Sequence, residues 1–133
     1  MAAKTVAEKL LIKPNATLWM SHTDHLGLIE PVPEGVRMTE TPAHADVAIL
    51  FSQDAAALRE LLDTHAEQIK VPAVVWICYP KANRSDINRD TVWPIVGEYG
   101  LRPNGQVAIN DVWSALRFRP LKPGEAPFAG GLR

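Results

Sequence analysis

The chain has 133 residues, a formal net charge of −1, 47% apolar and 22% charged side chains. A globule of this length buries about two-thirds of its unfolded surface, which supports one core and excludes disordered, collagen-like and disulfide-framework classes. The near-neutral balance supplies no basic field for phosphate backbones or anionic lipid, so neither nucleic acid nor membrane is expected as a partner.

Taken from the start, Lys4, Glu8 and Lys9 interrupt the first apolar residues, leaving no stretch that would serve as a signal peptide. Thr5 followed by Glu8 forms a capping box ahead of Val6, Leu10 and Leu11, which predicts a short amphipathic helix ended by Pro14-Asn15. Thr17 to Ser21 is apolar and rich in strand formers, the pattern of a strand buried on both faces. Asp24 is placed to cap a helical turn from His25 to Ile29, which Pro31 and Pro33 stop. Val36 to Glu40 reads as a second short strand, and Asp46 to Phe51 as a stronger one with five consecutive apolar residues.

Asp54 caps a helix running to about Lys70, in which Ala57, Leu58, Leu61, Leu62, His65 and Ile69 share one face. Val74 to Cys78 is another buried strand, leading through Tyr79-Pro80-Lys81 into a polar stretch from Ala82 to Arg89. A helix from about Asp90 to Tyr99 follows, with Pro94 in its first turn or kinking it and Gly100 at the position of a left-handed cap. Gln106 to Asn110 and Trp113 to Arg119 read as two strands joined around Asp111; the second alternates Trp113, Ala115 and Arg117 against Ser114, Leu116 and Phe118. The segment from 120 to 133, with three prolines and three glycines, is expected to be a loose tail outside a single domain spanning 1 to 119.

Cys78 is the one cysteine, which rules out an internal disulfide and leaves too few thiolates for structural zinc. The longest apolar run, Val71 to Tyr79, is broken by Pro72 and falls far short of the ~20 residues that cross a bilayer. A cytoplasmic location is the expectation.

Alternating strands and helices closed by a hairpin indicate an α/β fold with a mostly parallel sheet. Thr41 to Ala45 is the tight point, because five residues reach at most ~17 Å. A hairpin between Val36–Glu40 and Asp46–Phe51 therefore stands as the competing topology.

The order of elements resembles a shortened Rossmann-like methyltransferase domain that has lost one helix and one strand. More narrowly, Ala7-Glu8-Lys9-Leu10 with Ile12-Lys13-Pro14, Pro33-Glu34-Gly35-Val36, Ala45-Asp46-Val47, Trp76-Ile77-Cys78-Tyr79-Pro80-Lys81 and Asp111-Val112-Trp113-Ser114 look like a bacterial domain-of-unknown-function family. The resemblance implies a parallel sheet of order 2-1-3-4-6-5 along the chain, with the last strand antiparallel and helices on both faces. It carries no activity with it.

Open α/β sheets bind ligands at the carboxyl ends of their strands, near the switch point. In the implied order that edge collects Ser21, His22, Thr23, Asp24 and His25 after the first strand and Glu40 after the second. It adds Ser52 and Gln53 after the third, Tyr79, Lys81, Asn83 and Arg84 after the fourth, and Asn110, Asp111, Trp113 and Ser114 at the closing turn. A methyltransferase of this type requires glycine after the first strand so that the backbone can approach the cofactor, and Trp19 to Leu26 contains none. Glu40 does stand where such folds place an acid on ribose hydroxyls.

His22-Thr23-Asp24-His25 and His44-Ala45-Asp46 match no zinc spacing, so no metal is expected. Cys78, between strand residues, reads as a buried inert thiol, and Ser114 lacks the Gly-x-Ser-x-Gly elbow of a hydrolase. Charge is uneven: residues 1–80 carry six basic and ten acidic groups, 81–133 eight basic and five acidic. Lys81, Arg84 and Arg89 in one loop suit a phosphate or carboxylate at the sheet edge, and Trp113 suits stacking on a planar ligand.

The expectation is a non-catalytic, degenerate Rossmann-like domain that binds a small anionic ligand or a protein partner, with no cofactor. The alternative is an S-adenosylmethionine-dependent methyltransferase or another nucleoside-cofactor enzyme. Self-association through the first helix or an uncovered sheet edge makes a homo-oligomer a third expectation.

Overall fold

The computed structural model describes residues 5–81, 85–121 and 123–124. At its start the capping box forms as expected: Glu8 N donates to Thr5 Oγ1 (3.1 Å) and Thr5 N to Glu8 Oε1 (2.7 Å). Helix α1 is nonetheless a single turn, Val6–Lys9. It ends before Pro14, because Leu11 turns left-handed (φ 65°) while Leu11 N donates to Glu8 O and Ile12 N to Ala7 O. That closure is the glycine-favouring Schellman arrangement, and a leucine in it costs about 1–2 kcal/mol. Ile12 and Ala7, both buried beside it, supply the apolar contact that accompanies the motif.

Strands β1 (Thr17–Met20), β2 (Arg37–Met38), β3 (Val47–Phe51), β4 (Val74–Pro80), β5 (Leu101–Ala108) and β6 (Trp113–Pro120) form one sheet of order β2-β1-β3-β4-β6-β5. The first four neighbours are parallel, and β6 runs antiparallel to both β4 and β5. The competing hairpin is thereby excluded, since β2 and β3 flank β1 on opposite sides, with Leu18 opposite both Met38 and Val47. The recrossing is short enough because the four residues of β1 climb only about 13 Å. A 3₁₀ turn at Pro42–His44 makes it, and Asp46 anchors its end by accepting from Thr17 N at 2.9 Å.

Helix α2 (Ala55–His65) is capped by Asp54, whose Oδ1 accepts from Ala57 N at 2.8 Å. It stops short of Lys70; a 3₁₀ turn, Gln68–Lys70, tightens the chain and still delivers Ile69 to the core. Helix α3 (Arg89–Gly97) contains Pro94, and Gly100 at φ 82° turns the chain directly into β5. β5 therefore begins at Leu101 and not Gln106. Pro103 and Gly105, which hide the strand pattern, sit at a register shift, and an edge strand tolerates both. β6 runs on to Pro120, and Leu121 N donates to Gly100 O, both past the bound of 119 expected for the domain. Most of that tail lies outside the described residues.

β3, buried throughout, and β4, buried from Val75 onward, give the sheet two apolar faces. One face (Trp19, Ala48, Leu50, Val75, Ile77, Leu116 and Phe118) packs against α2 and α3 through Leu58, Leu62, Val92 and Val96. The other (Leu18, Met20, Ile49, Phe51, Trp76 and Ala115) is covered by α1 and the 3₁₀ segment Thr23–Leu28, through Ala7, Leu10, Leu26 and Leu28. Trp76 Nε1 donates to Leu10 O at 2.8 Å and ties α1 to the sheet centre. No helix among the described residues is long and apolar enough to cross a membrane.

Candidate functional site

The carboxyl ends of β1 and β3 meet at the switch point, and side chains fill it. Ser21, first past β1, accepts a hydrogen bond from Phe51 N through its hydroxyl (2.8 Å) and pairs with His22 Nδ1 (2.8 Å). The chain then enters the Thr23–Leu28 turn. Asp24 is not its cap: His22 holds that position, without a side-chain cap bond, and Asp24 lies exposed within the turn. The 3₁₀ geometry swings His25 back over the sheet end. Its ring sits 4.6 Å from Phe51 and 5.4 Å from Trp113, while Phe51 and Trp113 meet edge to face at 5.2 Å. The His22 and His25 rings are 6.0 Å apart.

Trp113 consequently does not offer a free stacking face. It is 8% exposed, its ring held by the other two. Ser114, expected beside it, projects to the opposite sheet face because strand side chains alternate. There its hydroxyl lies 3.4 Å from Gln106 Nε2, which also donates to Tyr79 Oη at 3.0 Å. Trp113 and Ser114 therefore do not share one site. Ser52 is fully buried and donates to Cys78 O at 2.9 Å. Burial pushes the Cys78 thiol far up from its ordinary range, which fits an inert thiol.

Other expected residues scatter. Glu40 and Thr23 are exposed, Glu40 beyond the short β2. Asn110 Oδ1 accepts from both Val112 N and Trp113 N (2.8 Å each), shaping the turn that holds exposed Asp111. Lys81 N donates to Val112 O at 2.7 Å, joining the end of β4 to that turn, and its side chain is half-buried. Asn83 and Arg84 lie outside the described residues.

An open groove of about 550 Å³ lies beside the aromatic stack, lined by Gln53, Asp54, Pro80, Ser85, Asp86 and Trp113. Sequence reasoning named Gln53 and Trp113 and placed Asp54 only as a cap; Ser85 and Asp86 it missed. Ser85 Oγ donates to Gln53 O, and Asp86 Oδ1 accepts from Ala55 N at 2.8 Å. Two of the amides at the start of α2, those of Ala55 and Ala57, are thus already met by carboxylates, where an anionic ligand would otherwise be drawn. Asp54 Oδ2 and Asp86 Oδ2 make no hydrogen bond among the described residues. No group of three or more His, Cys, Asp or Glu suited to a metal occurs among those residues.

Neither a protein-family model nor a curated protein matches the sequence. Among solved structures, the chain is similar to a protein of the NADB-Rossmann superfamily from Streptococcus agalactiae. The TM-score is 0.58 at 7% identity, over 98% of this chain and 72% of the other. It is also similar to a Streptococcus pneumoniae protein described as a candidate tRNA (m1A22) methyltransferase, in complex with S-adenosyl-L-methionine. There the TM-score is 0.54 at 9% identity, over 94% of this chain and 76% of the other. The fold is thus Rossmann-like and methyltransferase-like, as the strand order indicates.

Proposed function

We propose that this chain is a small-molecule-binding domain whose ligand occupies the groove at Gln53, Asp54, Asp86 and Trp113, and that S-adenosylmethionine is not that ligand. The observation that carries the reading is the closed switch point. In open α/β sheets the crevice between the first strand and its neighbour receives the cofactor. Here Ser21 clasps Phe51 N across that crevice, and His25 lies against Phe51 and Trp113. The adenosyl group has no backbone surface to approach, because no residue from Trp19 to Leu26 is glycine.

The groove alongside selects ligand chemistry by charge. Two carboxylates on its wall repel a negative group, so an anionic ligand held by Lys81 and Arg84 is disfavoured there. Their outer oxygens, with the exposed Gln53 amide, suit a molecule rich in hydrogen-bond donors, such as a polyol or an amine.

Two observations favour the methyltransferase alternative: the exposed Glu40 past β2, and the similarity of the fold to a candidate methyltransferase solved with S-adenosyl-L-methionine. Isothermal titration with S-adenosylmethionine separates the two readings. No saturable heat is expected; micromolar affinity, about −8 kcal/mol, refutes the proposal. In a parallel NMR screen, polyols and primary amines are expected to shift the Gln53, Asp54 and Trp113 amides. Shifts there from phosphates and carboxylates alone overturn the ligand chemistry.

A further inference from the structure

Leu11 is held left-handed at φ 65° yet leaves its side chain 39% exposed. The backbone conformation gains nothing from that side chain, since glycine is the preferred residue at the position. An apolar group retained there at a backbone cost, and turned toward solvent, points to a use outside the folded monomer.

Its surroundings indicate the use. Leu11 borders two apolar hollows. One, of about 410 Å³, is walled by Ile12, Pro14, Pro31, Val32 and Pro33; the other, of about 280 Å³, by Ala16, Val47, Ala73 and Val74 at the amino ends of the strands. Val71, two residues before Ala73, is 61% exposed. This surface lies at the end of the sheet opposite the proposed ligand groove. Its charges are of both signs: Lys13 rims both hollows, Glu8 the first and Asp46 the second. Lys13 forms no ion pair among the described residues.

We infer that this surface pairs with a second copy of the chain through a two-fold axis, Leu11 of each copy entering an apolar hollow of the other. A two-fold interface brings one patch against itself, so it must carry both the projecting group and the recess, and both signs of charge. This patch does, with Lys13 set to meet Glu8 or Asp46 of the second copy. A strongly acidic or basic partner would leave one of these signs unmatched.

Sedimentation velocity from low to high micromolar concentration tests the inference on wild type, Leu11→Gly and Lys13→Glu. Wild type is expected to dimerise. Leu11→Gly relieves the backbone and removes the projecting group together, so its dimer Kd rises about tenfold or more while its melting temperature at monomeric concentrations holds or rises. Lys13→Glu weakens the dimer without altering monomer stability. A wild type that stays monomeric overturns the inference, as does a Leu11→Gly dimer of unchanged affinity or a Leu11→Gly monomer that melts earlier.

Discussion

Replacing Ser21 with alanine tests the clasp that closes the switch point. In the native structure its hydroxyl accepts from Phe51 N at 2.8 Å, at the end of a strand whose five residues are all buried. Alanine leaves that amide without a partner in a site the packed rings shield, and an orphaned buried donor costs about 1–3 kcal/mol. The second bond, to His22 Nδ1, adds little because His22 is exposed. Ser21 N still donates to Ile49 O, so the backbone ladder survives and the loss is confined to the side chain. Urea unfolding should therefore show a lower midpoint at unchanged slope, and thermal melting a drop of roughly 3–12 °C. Native-state hydrogen exchange localises the effect, with protection of the Phe51 amide falling about tenfold for each 1.4 kcal/mol. Ser21→Thr, which keeps the hydroxyl, should recover most of the loss. A Ser21→Ala penalty below about 0.3 kcal/mol, with Phe51 protection unchanged, would refute the clasp.

Three further outcomes follow from the packing. Leu62→Ala, at a fully buried position between α2 and the sheet, should cost about 2–5 kcal/mol in chemical denaturation. Asp54→Ala removes the α2 cap and should cost about 1 kcal/mol, while Asp54→Ser, which can still accept from Ala57 N, should cost less. The raised Cys78 ionisation gives a sign for alkaline pH: above the ordinary thiol range the unfolded chain ionises while the buried thiol does not, so stability falls as pH rises. Labelling of Cys78 by a thiol reagent in native buffer should track the global unfolding rate; fast labelling of folded protein would show the thiol to be accessible.

Elements governed by neighbours in sequence were legible from it. The Thr5–Glu8 box and the Asp54 cap with its stripe of leucines involve residues within a turn of one another, and both occur where expected. Lengths were harder. α1 was expected to reach Pro14 and closed at Leu11, because the left-handed leucine is held by the Leu11 N–Glu8 O and Ile12 N–Ala7 O bonds together with burial of Ile12, which the sequence does not show. β5 was hidden by Pro103 and Gly105, whose presence in a strand makes sense only once the strand is known to be an edge.

Composition and local pattern thus determined an α/β chain with one core, and the element order carried the sheet arrangement through its resemblance to a shortened methyltransferase domain. The surface at the strand ends was decided only on folding. His25, Phe51 and Trp113 come from three separate segments, and the Ser21 hydroxyl reaches Phe51 N only when β1 and β3 lie side by side. Such contacts depend on strand register and on the face each side chain takes, which depend in turn on every other strand in the sheet. Ser21, His25 and Trp113, which looked available along the sheet edge, are once packed engaged with Phe51 or with one another, and the neighbouring groove stays open.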